Sequence, residues 1–269
     1  MAGVTAPVRK LLRRAFGVWP VMEWRNRLTM GRRGAAFTRF EDAEVARLAT
    51  ELGAPPTAAI ACIIPTYKRP QGVVASVNSI LAQERQDFVV VVVDDGAGLP
   101  PDLPKDPRVF AVSLSRNSAV LGLVRNVGIR LSRSDYVAFL DDDNTWTPQH
   151  LSLAVQAIDD GADLVYTAVR RRRQDGTELD VLSKSFDRRR FADETSWVDA
   201  NSIVLRRSAL LPFSRLPRTK MTFPKEDWEF VWRVSRRARV AHVTTPTVEY
   251  LVNMESFYTT WTPPGGEAV

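Results

Sequence analysis

The sequence holds one cysteine, Cys62, and two histidines, His150 and His242, in 269 residues. A single cysteine excludes an internal disulfide and any cysteine-built zinc site. Two histidines exclude a multi-histidine metal centre. A metal here would need oxygen ligands, which favours magnesium, manganese or calcium. Cys62 lies in the apolar run IACIIP and reads as a buried, inert thiol. No apolar run approaches the ~18 residues of a membrane-spanning helix. The opening stretch MAGVTAPVRKLLRRAFGVWP is basic but lacks the apolar core of a secretory signal. No Gly-x-Gly-x-x-Gly follows the first apolar strand; IIPTYKRP stands there. That counts against a dinucleotide-binding fold and against a Walker-type phosphate loop.

Acid is scarce at the start of the chain. Residues 1–40 carry nine basic side chains against one acid, Glu23, a net +8. With +6 for the whole chain, residues 41–269 carry −2. The same segment holds Leu11, Leu12, Phe16, Trp19, Trp24 and Leu28. Basic residues among tryptophans suit an anionic membrane surface. They equally suit a solvated segment packed on its own domain, and both readings stand. Nucleic acid is disfavoured, because nothing further along continues a basic groove.

What is present is an alternation of strands and helices, the mark of a mostly parallel sheet with helices on its faces. Residues 41–52 read as a short helix broken at Gly53. Ala58–Ile64, Phe88–Val93, Val109–Leu114 and Tyr136–Leu140 read as strands, the first two buried on both faces. Val73, Val77, Ile80 and Leu81 share one helix face; Val120, Val124, Val127 and Leu131 share another. A helix over 149–159, a strand over 163–169 and a hairpin reversal at Arg170–Arg173 with Asp175-Gly176 follow. Trp197–Leu205 reads as extended, and a helix starts after Pro224 with Trp228, Val231 and Trp232 inward. The expected division is a basic extension with short helices over 1–53 and one domain over 54–269. That domain splits into a nucleotide-binding half, 54–148, and an acceptor and catalytic half, 149–269.

Ligands in open α/β sheets bind beyond the carboxyl ends of the strands. Here those ends carry Pro65-Thr66-Tyr67, Asp94-Asp95-Gly96 and Asp141-Asp142-Asp143. Three adjacent carboxylates repel one another at pH 7, so either water screens them on a turn or a cation gathers them. Glu226 and Asp227 fall in the first turn of a late helix, where the helix dipole favours carboxylates.

CIIPTYKRP, VVVDDG, LVRNVGI, YVAFLDDDNTWTP, NSIVLRRSAL and EDWEFVWRV stand in this order. In that order they resemble a GT-A-fold glycosyltransferase of family 2, in the spore-coat and polysaccharide-assembly branch. The resemblance covers roughly residues 58–252. It implies a Rossmann-like α/β sheet with a C-terminal acceptor-side subregion. It also implies inverting transfer of a sugar from a nucleotide diphosphate sugar, UDP-sugar favoured, to a hydroxyl acceptor.

The implied roles attach to particular residues. Pro65, Thr66 and Tyr67 would line the base and ribose, and Asp95 would accept a hydrogen bond from the base. Arg125 and Asn126 would lie beside the diphosphate and sugar. Asp141-x-Asp143 matches the DxD motif, with Asp142 near the ribose or donor sugar and Asp143 the firmest ligand for Mn2+ or Mg2+. Asn201 and Ser202 would line the donor-sugar side, and Asp227, with Glu226 before it, would be the catalytic base. Asn144 stands where many members have a fourth acid, and Asn253 where many have a histidine. The acceptor could be lipid-linked, and the protein cytoplasmic and peripheral on the inner membrane face. The competing readings are a catalytically silent scaffold on the same fold and a nucleotidyltransferase.

Overall fold

The structure, a computed structural model, describes residues 6–193, 197–218, 222 and 225–252. The chain begins with two helices, α1 (Ala6–Phe16) and α2 (Val18–Leu52). It then alternates through β1 (Ile60–Thr66), α3 (Pro70–Leu81), β2 (Phe88–Asp94), β3 (Val109–Ser113), α4 (Leu121–Leu131) and β4 (Tyr136–Phe139). The second half adds β5 (Asn144–Trp146), α5 (His150–Asp159), β6 (Leu164–Arg173), β7 (Glu178–Leu182) and α6 (Arg188–Asp193). The last described elements are β8 (Ile203–Arg206), α7 (Glu226–Val234) and β9 (Val240–Val252).

One sheet runs β3-β2-β1-β4-β8-β6-β9-β5, with β7 paired to β6. The first four strands are parallel. The direction reverses at β8, which is antiparallel to both β4 and β6. Strands β6 and β9 are parallel, while β5 returns antiparallel on β9.

The period-2 alternation of β1 divides the core. Ile60, Cys62 and Ile64 point to one face, onto Val73, Val77 and Ile80 of α3 and Leu151, Val155 and Ile158 of α5. Ala61 and Ile63 point to the other, onto Leu123, Val124 and Val127 of α4 and Phe230 and Val231 of α7. Strands covered on both faces need no polar side, which is why FVVVVVD in β2 is buried throughout. Burial pushes the Cys62 thiol far above its ordinary range, so it is an inert packing residue.

The expected short helix over 41–52 is the last third of α2, a 35-residue helix. Pro20 falls in its first turn, where the missing N–H costs nothing. Interior Gly31 and Gly34 cost about 1 kcal/mol each relative to alanine. Long-range packing offsets that: Trp19 and Leu48 enter the core on the α4 and α7 side. The helix is also tied down by its acids. Fully buried Glu41 accepts from Arg215 at 2.7 Å, Arg130 at 3.0 Å and Asn126 at 3.0 Å. Glu44 accepts from Ser115, and Glu23 pairs with Arg218 at 2.9 Å. These contacts cross residue 53, so α2 is a packed arm rather than a string of short helices.

Two further corrections concern the second half. The expected hairpin is present and turns at Asp175-Gly176, but Arg170–Arg173 are strand residues of β6 that precede the turn into β7. They do not stand alone: Arg170 and Arg172 pair with Glu249, and Arg171 with Asp180. The extended stretch expected over 197–205 is interrupted by a short 3-10 turn, Ala200–Ser202, before β8.

Candidate active site

Because β1, β2 and β4 run parallel, their carboxyl ends reach one rim. Thr66 is opposite Asp94 in the β1–β2 register. Leu140, just past β4, donates its N–H to Ile63. Chain direction alone therefore brings Pro65-Thr66-Tyr67 and Asp141–Asp143 together.

The three aspartates of the rim have different partners. Asp142 is buried and accepts from the Thr66 hydroxyl at 2.7 Å, the Tyr67 N–H at 3.3 Å and Arg69 at 3.2 Å. Asp141 accepts from Arg125 at 2.6 Å and from the Asn201 amide at 3.2 Å. The Asn201 side-chain oxygen in turn accepts the Asp141 N–H. Asp143 is the most open of the three, with 32 % of its side chain exposed. It accepts from Asn144 at 2.8 Å and from Arg69. Burial, and then the Asp141 charge beside it, push the Asp143 carboxyl up to about 6.

Asn144 has a reason to be an amide. Its NH2 donates to Asp143 while its oxygen accepts from Leu251 of β9 at 3.0 Å. An aspartate there could do only the second and would add a fourth charge. Asn253 lies outside the described residues. Neither histidine joins the rim: His150 is buried against Thr247 and Trp146, and His242, in β9, stacks on Tyr166 of β6.

The late carboxylates are linked to the rim through Arg125. This fully buried guanidinium puts one nitrogen on Asp141 and another on Glu226 at 3.2 Å. Burial alone would lower its pKa, but Asp141 and Glu226 more than offset that and hold it firmly charged. Glu226 is thereby committed. Asp227, next along α7, accepts from the N–H of Trp228 at 2.9 Å. Burial, then the Glu226 charge, push its carboxyl up to about 7, with Asp199 adding to the rise and Lys225 and Arg125 opposing it.

Several expected site residues hold the framework around the rim. Asn126 does not reach the rim: its amide donates to Glu41 and to the Phe213 carbonyl at 3.1 Å and accepts from the Phe213 N–H at 2.8 Å. It follows Arg125 on a helix, so the two side chains point about 100° apart. Asp95 accepts the backbone N–H groups of Ser118 and Ala119, which fixes the loop before α4. The Ser202 hydroxyl is buried and donates to the Asp199 carbonyl at 2.7 Å. Pro65 is a buried residue inside β1.

Three residues escaped the sequence reading. Arg69 spans Asp142 and Asp143. Asp199 orients Asn201 through bonds of 2.6 and 2.9 Å. Gly72 lets α3 meet the acid turn, since a Cβ there would come within 2.0 Å of the Asp142 carbonyl oxygen. Gly72→Ala should therefore push the helix and the turn apart. We expect a loss of about 1–3 kcal/mol of stability from such overpacking, read from a urea midpoint.

Beside the acid turn lies a cavity of about 580 Å3, lined by Arg69, Gly72, Asp142, Asp143, Arg172 and Tyr250 among others. The donor set suits a hard divalent cation. Mg2+ and Mn2+ take one or two protein carboxylates and fill the rest of their shell with phosphate oxygens and water. Asp143 and the more buried Asp142 line the cavity, and Asp141, 25 % exposed, is the next carboxylate along the turn. Among the described residues no cluster of three or more metal-ligating side chains occurs.

Comparison with known proteins supplies the family. The glycosyl transferase family 2 model matches residues 61–211, more than half of the chain. The succinoglycan biosynthesis protein ExoW of Rhizobium meliloti is 33 % identical over 109 residues, covering 38 % of this chain and 34 % of that protein. This chain spans about a third of the length of the first curated relatives it matches. Staphylococcus aureus TarS 1-349 in complex with UDP-GlcNAc superposes with a TM-score of 0.60 at 18 % identity, over 76 % of this chain and 61 % of that one. The mannosyltransferase PcManGT of Pyrobaculum calidifontis, in complex with GDP-Man and Mn2+, superposes with a TM-score of 0.52 at 16 % identity, over 83 % and 68 %. A parallel sheet over the first half, an acid turn at its rim and this match together make the chain a member of glycosyl transferase family 2, built on the GT-A fold.

Proposed function

We propose that the protein is a metal-dependent, inverting glycosyltransferase that moves a sugar from a nucleotide diphosphate sugar to a hydroxyl acceptor. The observation that carries this is the bridge that Arg125 makes between two acid groups: Asp141 of the open Asp143–Asp141 edge on one side, and on the other Glu226, whose neighbour in α7 is the weakly acidic Asp227. In this reading residues 54–148 form the nucleotide-binding half and 149–269 the acceptor half. Thr66, Tyr67 and Asp95 border the base and ribose. Asp143 and Asp141 hold Mn2+ or Mg2+, which when bound supplies positive charge against the leaving diphosphate.

The remaining work falls to the chain. Asp227 takes the proton of the acceptor hydroxyl as that oxygen bonds to the anomeric carbon. The bond from the anomeric carbon to the β-phosphate oxygen breaks on the opposite face, which inverts the centre. Arg125 acts from beneath, keeping Asp141 and Glu226 in register. A neutral neighbour at Glu226 would remove one cause of the raised Asp227 pKa, so this pairing also tunes the base.

UDP-sugar is the favoured donor, in line with the TarS complex with UDP-GlcNAc; the PcManGT complex keeps GDP-sugars in view. The name of ExoW, a succinoglycan biosynthesis protein, favours polysaccharide assembly. In this reading the acceptor is lipid-linked and is met at the inner face of the membrane. The test is incubation with UDP-, GDP-, dTDP- and CDP-sugars, with and without Mn2+. We expect Mn2+-dependent release of the nucleoside diphosphate from one class. Release of pyrophosphate instead would indicate nucleotidyl transfer. Tight nucleotide binding with no turnover on any donor would indicate a scaffold.

A further inference from the structure

Helix α2 is built into the core, but α1 is not. Val8, Leu11, Leu12, Ala15 and Phe16 recur at the i, i+3, i+4, i+7, i+8 spacing of one helix face. Buried against a domain, such a face would vanish from the surface. Here Leu11 is 66 % exposed, and Val8, Ala15 and Phe16 are exposed too. The face continues onto α2. The Phe16 and Trp24 rings lie 5.3 Å apart, and Leu28, one turn beyond Trp24, is 75 % exposed. Of the eleven large hydrophobic residues exposed among the described residues, five fall within residues 8–28. That concentration marks a contact surface rather than scatter.

The surface is held in place. Gly17 separates the two helices at φ 86°, and a Cβ there would come within 2.8 Å of Ala192 in α6. The join is therefore seated on the body. The patch also borders α7: Trp19 packs on Trp228 at 5.6 Å, and Arg27 donates to Glu229 at 2.8 Å.

Its surroundings are basic. Positions 9, 10, 13 and 14 of the sequence are Arg, Lys, Arg and Arg, and no acid precedes Glu23. Glu23 is buried and paired with Arg218, so it does not offset the exposed charge of Lys10, Arg14, Arg32 and Arg33. A second copy docked on this face would bring two strongly basic surfaces together. Nucleic acid would use the cations and leave Leu11 and Leu28 in water.

We infer that α1 and the first turns of α2 form an interfacial surface for a bilayer containing anionic lipid, with Leu11, Phe16, Trp24 and Leu28 entering the headgroup boundary. Lys10, Arg14, Arg32 and Arg33 meet the lipid phosphates. Its bearing on the acceptor rests on the proposed transfer reaction: it would bring α7, which carries Asp227, to the surface where a lipid-linked hydroxyl is presented.

The test is co-sedimentation of the full chain with phosphatidylcholine vesicles and with vesicles of phosphatidylcholine and phosphatidylglycerol. The full chain should sediment with the mixed vesicles and little with phosphatidylcholine alone. The double substitution Leu11→Asp with Leu28→Asp should lower partitioning at least about tenfold, because both side chains leave the apolar layer. Lys10→Glu with Arg14→Glu should do the same at low salt and less at high salt. All variants should keep the thermal midpoint and nucleotide affinity of the parent. Equal sedimentation of parent and Leu11→Asp/Leu28→Asp, or binding indifferent to phosphatidylglycerol, overturns the inference. So does a dimer in light scattering that the same substitutions abolish. Vesicle binding without sugar transfer from any donor would leave the surface standing and remove the transferase reading.

Discussion

Asp227→Asn should lower turnover by at least about 10² while nucleotide affinity stays within a few-fold of the parent. Asparagine keeps the size and the acceptor for the Trp228 N–H, but it cannot take a proton at this step. The parent carboxyl is pushed up to about 7 by burial and by Glu226. A base must be deprotonated, so kcat/KM should rise with pH through about 7 and flatten above it. The variant should lose that limb. Stability should respond in the opposite sense. A carboxyl whose folded pKa lies above its ordinary 3.8 is favoured neutral in the fold. From pH 4 to 7 the unfolded chain releases this proton while the folded chain keeps it. Stability therefore falls over that window and stays reduced above it. Asp227→Asn, uncharged throughout, should melt above the parent at pH 8 and level with it near pH 4. A variant that turns over normally would return Asp227 to an ordinary helix N-terminal acid. A variant that melts lower at pH 8 would make it a structural residue.

How much of this was legible before the structure depended on the range of each interaction. The buried strands β1 and β2 announced themselves as continuous apolar runs. Parallel alternation then put Thr66 and Asp141–Asp143 on one rim, because strand direction alone carries them there. Helix faces were equally readable: Val73, Val77 and Ile80 need only the 3.6-residue period. Partners distant in sequence were not. Asn126 faces Glu41, 85 residues away, and Arg125 reaches Glu226, 101 residues away. Nothing in LVRNVGI says which of two adjacent polar residues turns to the rim and which to the arm. The length of α2 was hidden for a related reason. Its first two thirds show no sustained apolar period, and what holds them in one helix with residues 41–52 is long-range: buried Glu23, Glu41 and Glu44 and their distant partners. Arg69 stood inside the quoted PTYKRP motif, yet its position across two aspartates depends on the turn that follows β4.

Asp143→Asn should abolish most of the Mn2+-dependent gain in nucleotide affinity and lower turnover by about 10² or more, while metal-free binding and folding survive. The reason is how the three aspartates are committed. Asp142 is spent on Thr66, Tyr67 and Arg69, and Asp141 on Arg125 and Asn201. Asp143 alone combines an exposed edge with partners that can move, since Arg69 is itself 44 % exposed. The asparagine oxygen can still accept from Arg69, so the turn should hold its shape. Arg69→Gln supplies the opposite arm. It removes the cation that now lies across Asp142 and Asp143, so Mn2+ with UDP should bind more tightly than to the parent. Calorimetric titration of UDP with and without Mn2+ reads both variants. If Asp143→Asn gains as much from Mn2+ as the parent does, the three aspartates are a solvated turn neutralised by Arg69, and the metal must be sought elsewhere. If Arg69→Gln weakens Mn2+-dependent binding instead, the guanidinium is a partner of the diphosphate rather than a competitor of the metal.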